Sequence, residues 1–577
     1  MDFDLLGFGA RGYGRSLAEG FFLTLSLAVA SYLISLVLGV MLGFGAGSER
    51  RWFKILWKPY SSLITGIPSL LVIFFVYYNL PILIRSMVGL KVEVSPLAAG
   101  VPVTTSGLAS RETGFTQSET STAWCGTNAV IGFNDLGSFL ETEAAALGGT
   151  NGLSLMGYAQ SINANTTTPT FADKGPVPAG PVTSGMGLLL ASDPAVGCSS
   201  ASNFYLSDVG FNCSSFVSNG GVAACTAAQS NVSVSLSTDG GATFNSPNVA
   251  IAKNFPDHTL DKDWMALDTA HGEIYVTYTD FDNSSGNICG TDFIPIQRIA
   301  IELVSSTDGG TTWSAPTEVT HVCADFFVNP NTSITGSQIA VAKDGSVYVA
   351  WEAFGLGAGD PSVREIDIAK SGIGGASFGA ATKITNVNCV GDCADGILQG
   401  AIRIFEFPSL VMGKGTQSGK LFMTWNDGDN PQSDALIGTY NFADVKVVSS
   451  SDGVTWSAPV KANINPVSNT DHFQPAVSTD KAGRVAVCFY DRRNDPNNFL
   501  IDRYCASSTT GGASFATNAR ITPKSFPSLV SQDVLAAPNY MGDYDTLTSD
   551  TLNSVAGFRG AFANNVSGAP NVQSNKY

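Results

Sequence analysis

The sequence is poor in positive charge and in histidine. Its 577 residues include 31 Lys or Arg, 48 Asp or Glu and 4 His, for a net charge of −17. Residues 1–95 hold 8 Lys or Arg and 5 Asp or Glu, so the negative excess belongs to the rest of the chain. Such an acidic chain repels phosphate backbones, which argues against nucleic acid as a partner. None of the histidines stands in a hydrolase motif with Ser or Cys.

Residues 1–95 also lack cysteine, whereas the rest of the chain contains all ten. Cys389 and Cys393 are close in sequence, but no second pair and no nearby His completes a tetrahedral zinc site. An even number of cysteines in a Gly-, Asn- and Thr-rich segment is typical of an oxidising compartment. We therefore predict disulfides in this part of the chain.

Two long apolar segments at about 21–44 and 60–84 contain no charged residue. Each can cross about 30 Å of hydrocarbon at 1.5 Å per residue, and a signal peptide has one shorter apolar region. The loop between them is cationic, with Arg50, Arg51, Lys54 and Lys58, which places it in the cytoplasm. The sequence thus predicts two transmembrane helices in the cell (inner) membrane, with residues after 95 periplasmic or extracellular.

The first hundred residues resemble the permease subunits of polar amino acid ABC transporters of the histidine/glutamine/arginine type. The resemblance rests on five stretches: Gly20-Phe-Phe-Leu-Thr24-Leu, Tyr60, Thr65-Gly66-Ile67-Pro68-Ser69-Leu70-Leu71, Tyr77-Tyr78-Asn79-Leu80-Pro81 and Val92–Gly100. It implies a transport role and an ABC ATPase as partner, if the segment functions as a permease.

The resemblance ends at Gly100, where the next residues are too polar to continue a membrane helix. Glu143–Gly149 matches the family's EAA…G motif by chance, because the intervening spans are absent. We predict a truncated permease-like segment at 1–100, a linker at 101–119 and a second domain at 120–577. A break in mid-helix is an unusual domain boundary, so an artificial join of two genes is an open alternative.

The second domain contains a repeated turn motif, S-x-D-x-G-x-T-W/F. Degraded copies occur at 161–171, 371–378 and 508–515, and a shortened one at 450–456. The motif resembles the Asp box of the sialidase (BNR-repeat) superfamily, and we interpret its residues as structural, with the Asp accepting backbone N–H groups. These residues are Ser237, Asp239, Gly241, Thr243 and Phe244; Ser306, Asp308, Gly310, Thr312 and Trp313; and Asp452 and Trp456.

Seven alternating strand-like segments accompany the six boxes. They are Gly272–Tyr278, Gly345–Trp351, Gly419–Trp425 and Gly483–Phe489, with weaker copies at 129–135, 203–210 and 553–559. A repeat of about 70 residues that cannot bury its own face alone predicts a radial stack. The predicted fold is all-β, a six- to seven-bladed β-propeller preceded by the two transmembrane helices. A seventh copy means a blade without a box, or a terminus that closes the ring.

The sialidase resemblance implies an arginine triad, a Tyr nucleophile paired with Glu, and an Asp acid. The weak catalytic candidates are Arg403, within Arg403–Leu410, and Asp491 and Arg492, within Tyr490–Asp495. An ordinary strand is the favoured reading of Arg403, and a solvated salt bridge is the favoured reading of the Arg–Asp pair.

Further carboxylates end equivalent strands at Asp135, Asp280, Glu352 and Asp427. A ring of them could bind Ca²⁺, although no EF-hand-type loop supports it, and we predict no cofactor. Two further segments, Lys262–Asp268 and Tyr540–Tyr544, resemble segments of secreted bacterial BNR proteins and by themselves indicate no chemistry.

The sequence favours a propeller that faces outward and binds a glycan or a protein at its mouth, without cleaving it. The first alternative is an exo-sialidase-like glycoside hydrolase. The second is an amino acid transport component, which the absence of further spans disfavours.

Overall fold

The computed structural model describes residues 107–108, 110, 115–219, 222–290, 296–325, 328–329, 331–356, 360, 362–392, 396–434, 438–465, 467, 469–530, 536–566 and 571–577. The chain divides into two units, Met1–Leu97 and Ala98–Tyr577, and all of these residues belong to the second. The predicted helices at 21–44 and 60–84 therefore lie outside the described residues. Within the described residues, no helix is long and apolar enough to cross a bilayer.

The described part begins with a short strand and the first blade, which is followed by a helix. The elements are β1 (Gly107–Leu108), β2 (Gln117–Cys125), β3 (Asn128–Asp135), α1 (Leu136–Leu147), β4 (Leu153–Ser154), β5 (Met156–Ser161) and β6 (Ala172–Pro176). Strands β2, β3, β5 and β6 form the first antiparallel sheet. The predicted linker thus contains β1 and the start of β2.

Three further blades follow in chain order. Their strands are β7 (Gly187–Cys198), β8 (Phe204–Asn219), β9 (Val222–Ser237), β10 (Asn248–Asn254), β11 (His258–Asp268), β12 (Glu273–Asp282), β13 (Gln297–Ser306), β14 (Thr317–Ala324), β15 (Ser333–Val341), β16 (Ser346–Phe354), β17 (Val363–Ile373) and β18 (Thr382–Asn388). Each blade takes four consecutive strands, and β4 adds to the second blade beside β7.

A small hairpin and three blades complete the chain. The strands are β19 (Ile397–Leu398), β20 (Ile402–Arg403), β21 (Ser409–Met412), β22 (Leu421–Asp434), β23 (Gly438–Ser450), β24 (Val460–Lys461), β25 (His472–Thr479), β26 (Val485–Asp491), β27 (Asp502–Ser508), β28 (Ala519–Arg520), β29 (Leu547–Ser549), β30 (Phe558–Asn564) and β31 (Asn571–Lys576), with a short 3-10 helix at Gly415–Gln417. The last blade has the order β1-β31-β30-β29, so its outer strand comes from the other end of the domain.

These sheets form a seven-bladed β-propeller. The inner strands β2, β7, β11, β15, β21, β25 and β29 contact one another in turn, and β29 returns to β2. A backbone bridge between Thr120 and Asp545 joins the last blade to the first. The predicted six or seven blades are therefore seven: the seventh has no box turn, and β1 closes the ring.

The seven segments predicted as strands correspond to the second strand of each blade. Each of these strands lies within its own sheet and is flanked by the two neighbouring blades. It is therefore buried on both faces, as in β16, where the first eight of nine residues are buried. Outer strands such as β18 are largely exposed. Apolar clusters fill the spaces between blades, for example around Trp351 and around Trp425. The last prediction began too early, because β30 starts at Phe558.

The box motifs occupy the turns between the third and fourth strands of their blades. Asp239 Oδ1 accepts hydrogen bonds from Ser237 Oγ at 2.8 Å and from the Thr243 amide at 3.0 Å, and Oδ2 accepts from Thr243 Oγ1 at 2.7 Å. Asp308 makes the same contacts with Ser306 and Thr312. In this geometry the carboxylate organises the turn.

Disulfides connect Cys125 with Cys198, Cys213 with Cys225, Cys289 with Cys323 and Cys488 with Cys505. Cys389 is disulfide-bonded as well, and no cysteine of the described part is free. The preference for disulfides over a zinc site is confirmed. The Cys125–Cys198 bond joins the first blade to the second.

Candidate functional site

Five inner strands carry a β-bulge at the same position, where two residues oppose one on the neighbouring strand. The pairing shifts after Ser118 in β2, Ser192 in β7, Asp261 in β11, Thr335 in β15 and Phe473 in β25. Bulges redirect side chains and are common beside active sites. Here they lie next to the axis of the propeller.

The first bulged residue has a positive φ in every case. The values are 52° for Glu119, 62° for Asp193, 50° for Lys262, 67° for Gly336 and 47° for Gln474. Four of the five are not glycine, and such residues rarely adopt this conformation. At Gly336 a side chain is also excluded, because its Cβ would lie 2.3 Å from the Phe407 ring.

Lys262 is the centre of a buried ionic cluster that these bulges create. Its Nζ lies 2.8 Å from Asp193 Oδ1, 2.8 Å from Asp543 Oδ2 and 3.4 Å from Glu119 Oε1. The Lys262 side chain is 13% exposed and the three carboxylates are buried. Residues from blades one, two, three and seven therefore converge on one ammonium group.

Arg403 occupies the open side of this cluster. Its guanidinium binds Asp543 through two nitrogens, with Nη2 at 2.7 and 2.6 Å from the two carboxylate oxygens and Nε at 3.1 Å from Oδ1. The guanidinium carbon lies 5.0 Å from the centre of the Tyr540 ring and 5.4 Å from that of Phe405. The side chain remains 32% exposed.

Asn134 fixes the orientation of the neighbouring groups. Its Nδ2 donates to Glu119 Oε2 at 2.8 Å and to Tyr540 Oη at 2.9 Å, and its Oδ1 accepts from the Asp193 amide at 3.2 Å. The Asp543 amide donates to Glu119 Oε1 at 3.0 Å. The cluster is thus held by backbone as well as side-chain donors.

The environment separates the four carboxyl groups into two protonation classes. Burial raises the pKa of Asp261 to about 7 and that of Glu119 well above its ordinary value, against the opposing effect of Lys262. Burial would also raise the pKa of Asp193, but Lys262 and hydrogen bonds from Glu119 and Asp261 outweigh it and lower that pKa. Lys262 and Arg403 likewise lower the pKa of Asp543 despite its burial. The two carboxyl groups with lowered pKa values, Asp193 and Asp543, are the ones that lie closest to the two cations.

The cluster forms the floor and one wall of a cleft of about 390 Å³ at one mouth of the channel. Asn134, Asp193, Asp261, Lys262, Arg403, Phe405, Tyr540 and Asp543 all line it. Below the cleft the channel narrows to a space of about 30 Å³ beside Trp264 and Tyr544, whose rings meet edge to face at 5.2 Å. The cleft is therefore nearly closed at its base.

The three catalytic candidates from the sequence lie in two places. Arg403 lines the cleft, whereas Asp491 and Arg492 do not. Arg492 is fully buried and pairs with Asp471 at 3.0 Å, and Asp491 pairs with Arg493 at 2.5 Å. The Arg492 pair is consequently buried in the protein, not solvated at a rim.

The four carboxylates at the ends of the second strands are each engaged by other groups of the protein. Asp135 caps α1, Asp280 pairs with Lys253 at 2.8 Å, Glu352 pairs with Arg364 at 3.1 Å, and Asp427 accepts from the Trp425 indole at 3.0 Å. They are buried and do not form an open ring.

Within the described residues, His258, Asp280 and Asp282 are close enough to share a cation. Lys253 and Arg298 already lie 2.8 and 3.6 Å from Asp280 and supply positive charge there. A calcium site stays a prediction without support from this geometry.

Sequence reasoning missed Glu119, Asp193, Lys262 and Asp543 as site residues. The segments Lys262–Asp268 and Tyr540–Tyr544 were noticed, but only as marks of a resemblance. A signal was present in the Asp-Lys-Asp and Gly-Asp-Tyr-Asp sequences, which concentrate several charges within a few residues.

No family model matches the chain. A short segment is similar to curated permeases: it is 26% identical over 95 residues to the histidine/lysine/arginine/ornithine transport system permease protein HisQ of Escherichia coli K12, covering 16% of this chain and 41% of that protein. It is 33% identical over 88 residues to the nopaline transport system permease protein NocQ of Agrobacterium fabrum, covering 15% and 37%. The chain spans about two fifths of the length of these relatives. The permease resemblance is thereby confirmed.

Solved structures with a similar fold include a protein of unknown function from Dyadobacter fermentans, with a TM-score of 0.39, 16% identity, and coverage of 67% of this chain and 94% of that one. The Hadza microbial sialidase Hz136 has a TM-score of 0.38 and 13% identity, and the match covers 73% and 76% of the two chains.

Proposed function

We propose that the propeller binds a glycan in the cleft around Lys262 and Arg403. The observation that carries this proposal is the set of bulges that brings Glu119, Asp193 and Lys262 to one mouth at a conformational cost. Backbone strain of this kind is retained mainly where a site needs it. Hydroxyl-binding groups and aromatic rings in one concave site are the usual means of recognising sugars.

The charge of the cleft favours an uncharged sugar. Lys262 and Arg403 are already paired with Asp193 and Asp543, so neither is free to bind a carboxylate of the ligand. An acidic sugar would have to displace Asp543 from Arg403 and leave a buried carboxylate with one partner fewer, which is costly. A neutral sugar needs only hydroxyl contacts and the faces of Tyr540 and Phe405.

Two features favour binding over hydrolysis. The resemblance to sialidases implies three arginines around a carboxylate, and among the described residues that line the cleft Arg403 is the one arginine. Asp261 and Asp193 share a hydrogen bond, whereas the carboxyl pair of a glycosidase stands at least about 5 Å apart to admit the sugar. The hydrolase alternative would be established by release of sialic acid that Arg403→Ala abolishes.

The binding test compares two arginines in similar pairs. Arg403 and Arg484 each bind one Asp through Nε and Nη2 and lie over an aromatic ring, but Arg484 pairs with Asp480 and lines no part of the cleft. The full-length chain, screened on an array of neutral and acidic glycans, should retain neutral glycans. Arg403→Ala should reduce the affinity at least tenfold and Arg484→Ala should leave it unchanged. Equal loss in both variants, or an array without any hit, would exclude the cleft as the binding site.

We further propose that the permease-like segment tethers the propeller to the outer face of the cell membrane. The permease relatives and the disulfides support this arrangement from independent residues. A role in transport would require copurification with an ABC ATPase.

A further inference from the structure

The channel of the propeller has a second chamber, separate from the cleft. It measures about 250 Å³ and is lined by the later residues of the inner strands, beyond the narrow part at Trp264. Hydroxyl-bearing residues from several blades line it, among them Ser121, Ser478 and Thr548. An engineered cavity of about 150 Å³ already accommodates benzene, so this chamber has room for a small organic or inorganic ion.

Lys414 is the one charged residue among those that line this chamber in the described part. Its Nζ donates to Ser549 Oγ at 2.8 Å, to the Asp550 carbonyl at 3.2 Å and to the Ser549 carbonyl at 3.5 Å. All three acceptors are uncharged. The ammonium group is thus hydrogen-bonded without a carboxylate in contact.

The contrast with Lys262 shows what is absent at Lys414. Both lysine side chains are partly buried, but Lys262 has three carboxylates around its ammonium group and its pKa is raised. At Lys414 burial dominates and lowers the pKa to about 8, with only partial compensation from Asp550 and Asp480. A cation in a nonaqueous environment is stable chiefly when an anion pairs with it.

We propose that the second chamber binds a small oxyanion whose charge pairs with the Lys414 ammonium group. The remaining oxygens would accept hydrogen bonds from the surrounding Ser and Thr hydroxyls. The same chemistry is offered by inorganic phosphate and by the carboxylate of a small organic acid. Because the anion favours the charged amine, binding should weaken as the pH rises above about 8.

The test measures Lys414 directly in the full-length protein. Acetylation of lysines by a succinimidyl ester is followed by mass spectrometry at constant ionic strength, with chloride replaced by phosphate in one arm and by acetate in the other. We expect at least a fivefold slower modification of Lys414 in one arm, and an unchanged rate at exposed Lys420. Protection by phosphate alone identifies a phosphate-type ligand, and protection by acetate a carboxylate.

Calorimetric titration of the protecting anion supplies a second measurement. Lys414→Met should weaken binding at least tenfold, and Lys420→Met should not change it. Unaltered labelling of Lys414 in both arms overturns the proposal, even if Lys414→Met does not fold. So does equal affinity in the wild type and a folded Lys414→Met protein.

Discussion

At the residue scale, the cleft depends on side chains held in an unfavourable backbone conformation. Glu119, Asp193 and Lys262 each occupy positive φ, and all three meet in the ionic cluster. Such strain persists where surrounding contacts over-determine it. Here the contacts that hold the strained backbone are ionic, so the effect of removing them on stability can be measured.

Replacing Lys262 with Met should lower the free energy of unfolding by about 3–5 kcal/mol, because buried carboxylates lose their shared cation. Denaturant titration with circular dichroism measures this at pH 7. The difference in the free energy of unfolding should be smaller at pH 5, because the carboxyl groups that have lost their cation begin to bind protons there. Lys383→Met is the control: its pair with Glu365 is half exposed, and its loss should cost less than about 1 kcal/mol. Equal effects of the two substitutions would contradict the ionic account.

Asp208 gives a prediction about pH. Burial raises its pKa to about 8, since Ser233 Oγ, at 2.7 Å, is the one recorded partner and Oδ2 has none. A carboxyl with a raised folded-state pKa contributes stability at low pH that is lost as pH rises from about 4 through 8. Asp208→Asn should therefore flatten the decline in stability between pH 5 and 8, by on the order of 3 kcal/mol at pH 8. Parallel curves for variant and wild type would show that Asp208 ionises normally.

At the element scale, the seven second strands were predictable and the inner strands were not. Second strands are buried on both faces, so they appear as apolar runs such as Ser346–Phe354. Inner strands are rich in Ser, Asp, Thr and Pro because they line a polar channel, and their bulges interrupt the alternation of residues. Neither an apolar run nor a regular period-two pattern therefore marks them in the sequence. The site was predictable only in part. Arg403 stands in a recognisable motif, but its partner Asp543 is 140 residues away, so no local pattern links the two.

The box turns of different blades should differ in how strongly their central side chain stabilises the protein. Asp239 accepts three hydrogen bonds in its turn, whereas the uncharged Thr510 hydroxyl at the equivalent position accepts one from the Ser514 amide at 3.0 Å. It also lies 3.0 Å from the Ser514 hydroxyl and 3.1 Å from the Ser508 hydroxyl. Asp239→Ala should cost about 1 kcal/mol more than Thr510→Ala, because hydrogen bonds to a charged acceptor are stronger. Thermal unfolding of the two variants measures the difference. A larger effect at Thr510 would mean that the carboxylate does not organise the turn.

At the scale of the whole molecule, the ring closes through both ends of the described chain. Strand β1 pairs with β31, and Thr120 meets Asp545 across the first and last blades. The closing strand lies only a few residues beyond the permease-like segment. Whether the two parts are one protein therefore decides where the propeller is anchored.

We expect amplification of source DNA and transcript across codons 90–115 to give a single product. Intact cells treated with a membrane-impermeant amine reagent should then carry label on the propeller, with a cytoplasmic protein as the unlabelled control. The absence of any product across the join would mean two separate proteins, and a labelled propeller in the medium would exclude the tether.

Closure by β1 also has a consequence for biosynthesis. Glu119 belongs to the first blade and Asp543 to the last, so the cleft cannot exist until nearly the whole domain has been synthesised, which takes on the order of a minute at ribosomal speeds. Until then the first blade lacks its neighbouring blade on one side. A chain that terminates early lacks not only its final strands but also the part of the cleft that Asp543 provides, so the proposed glycan site is incomplete in it.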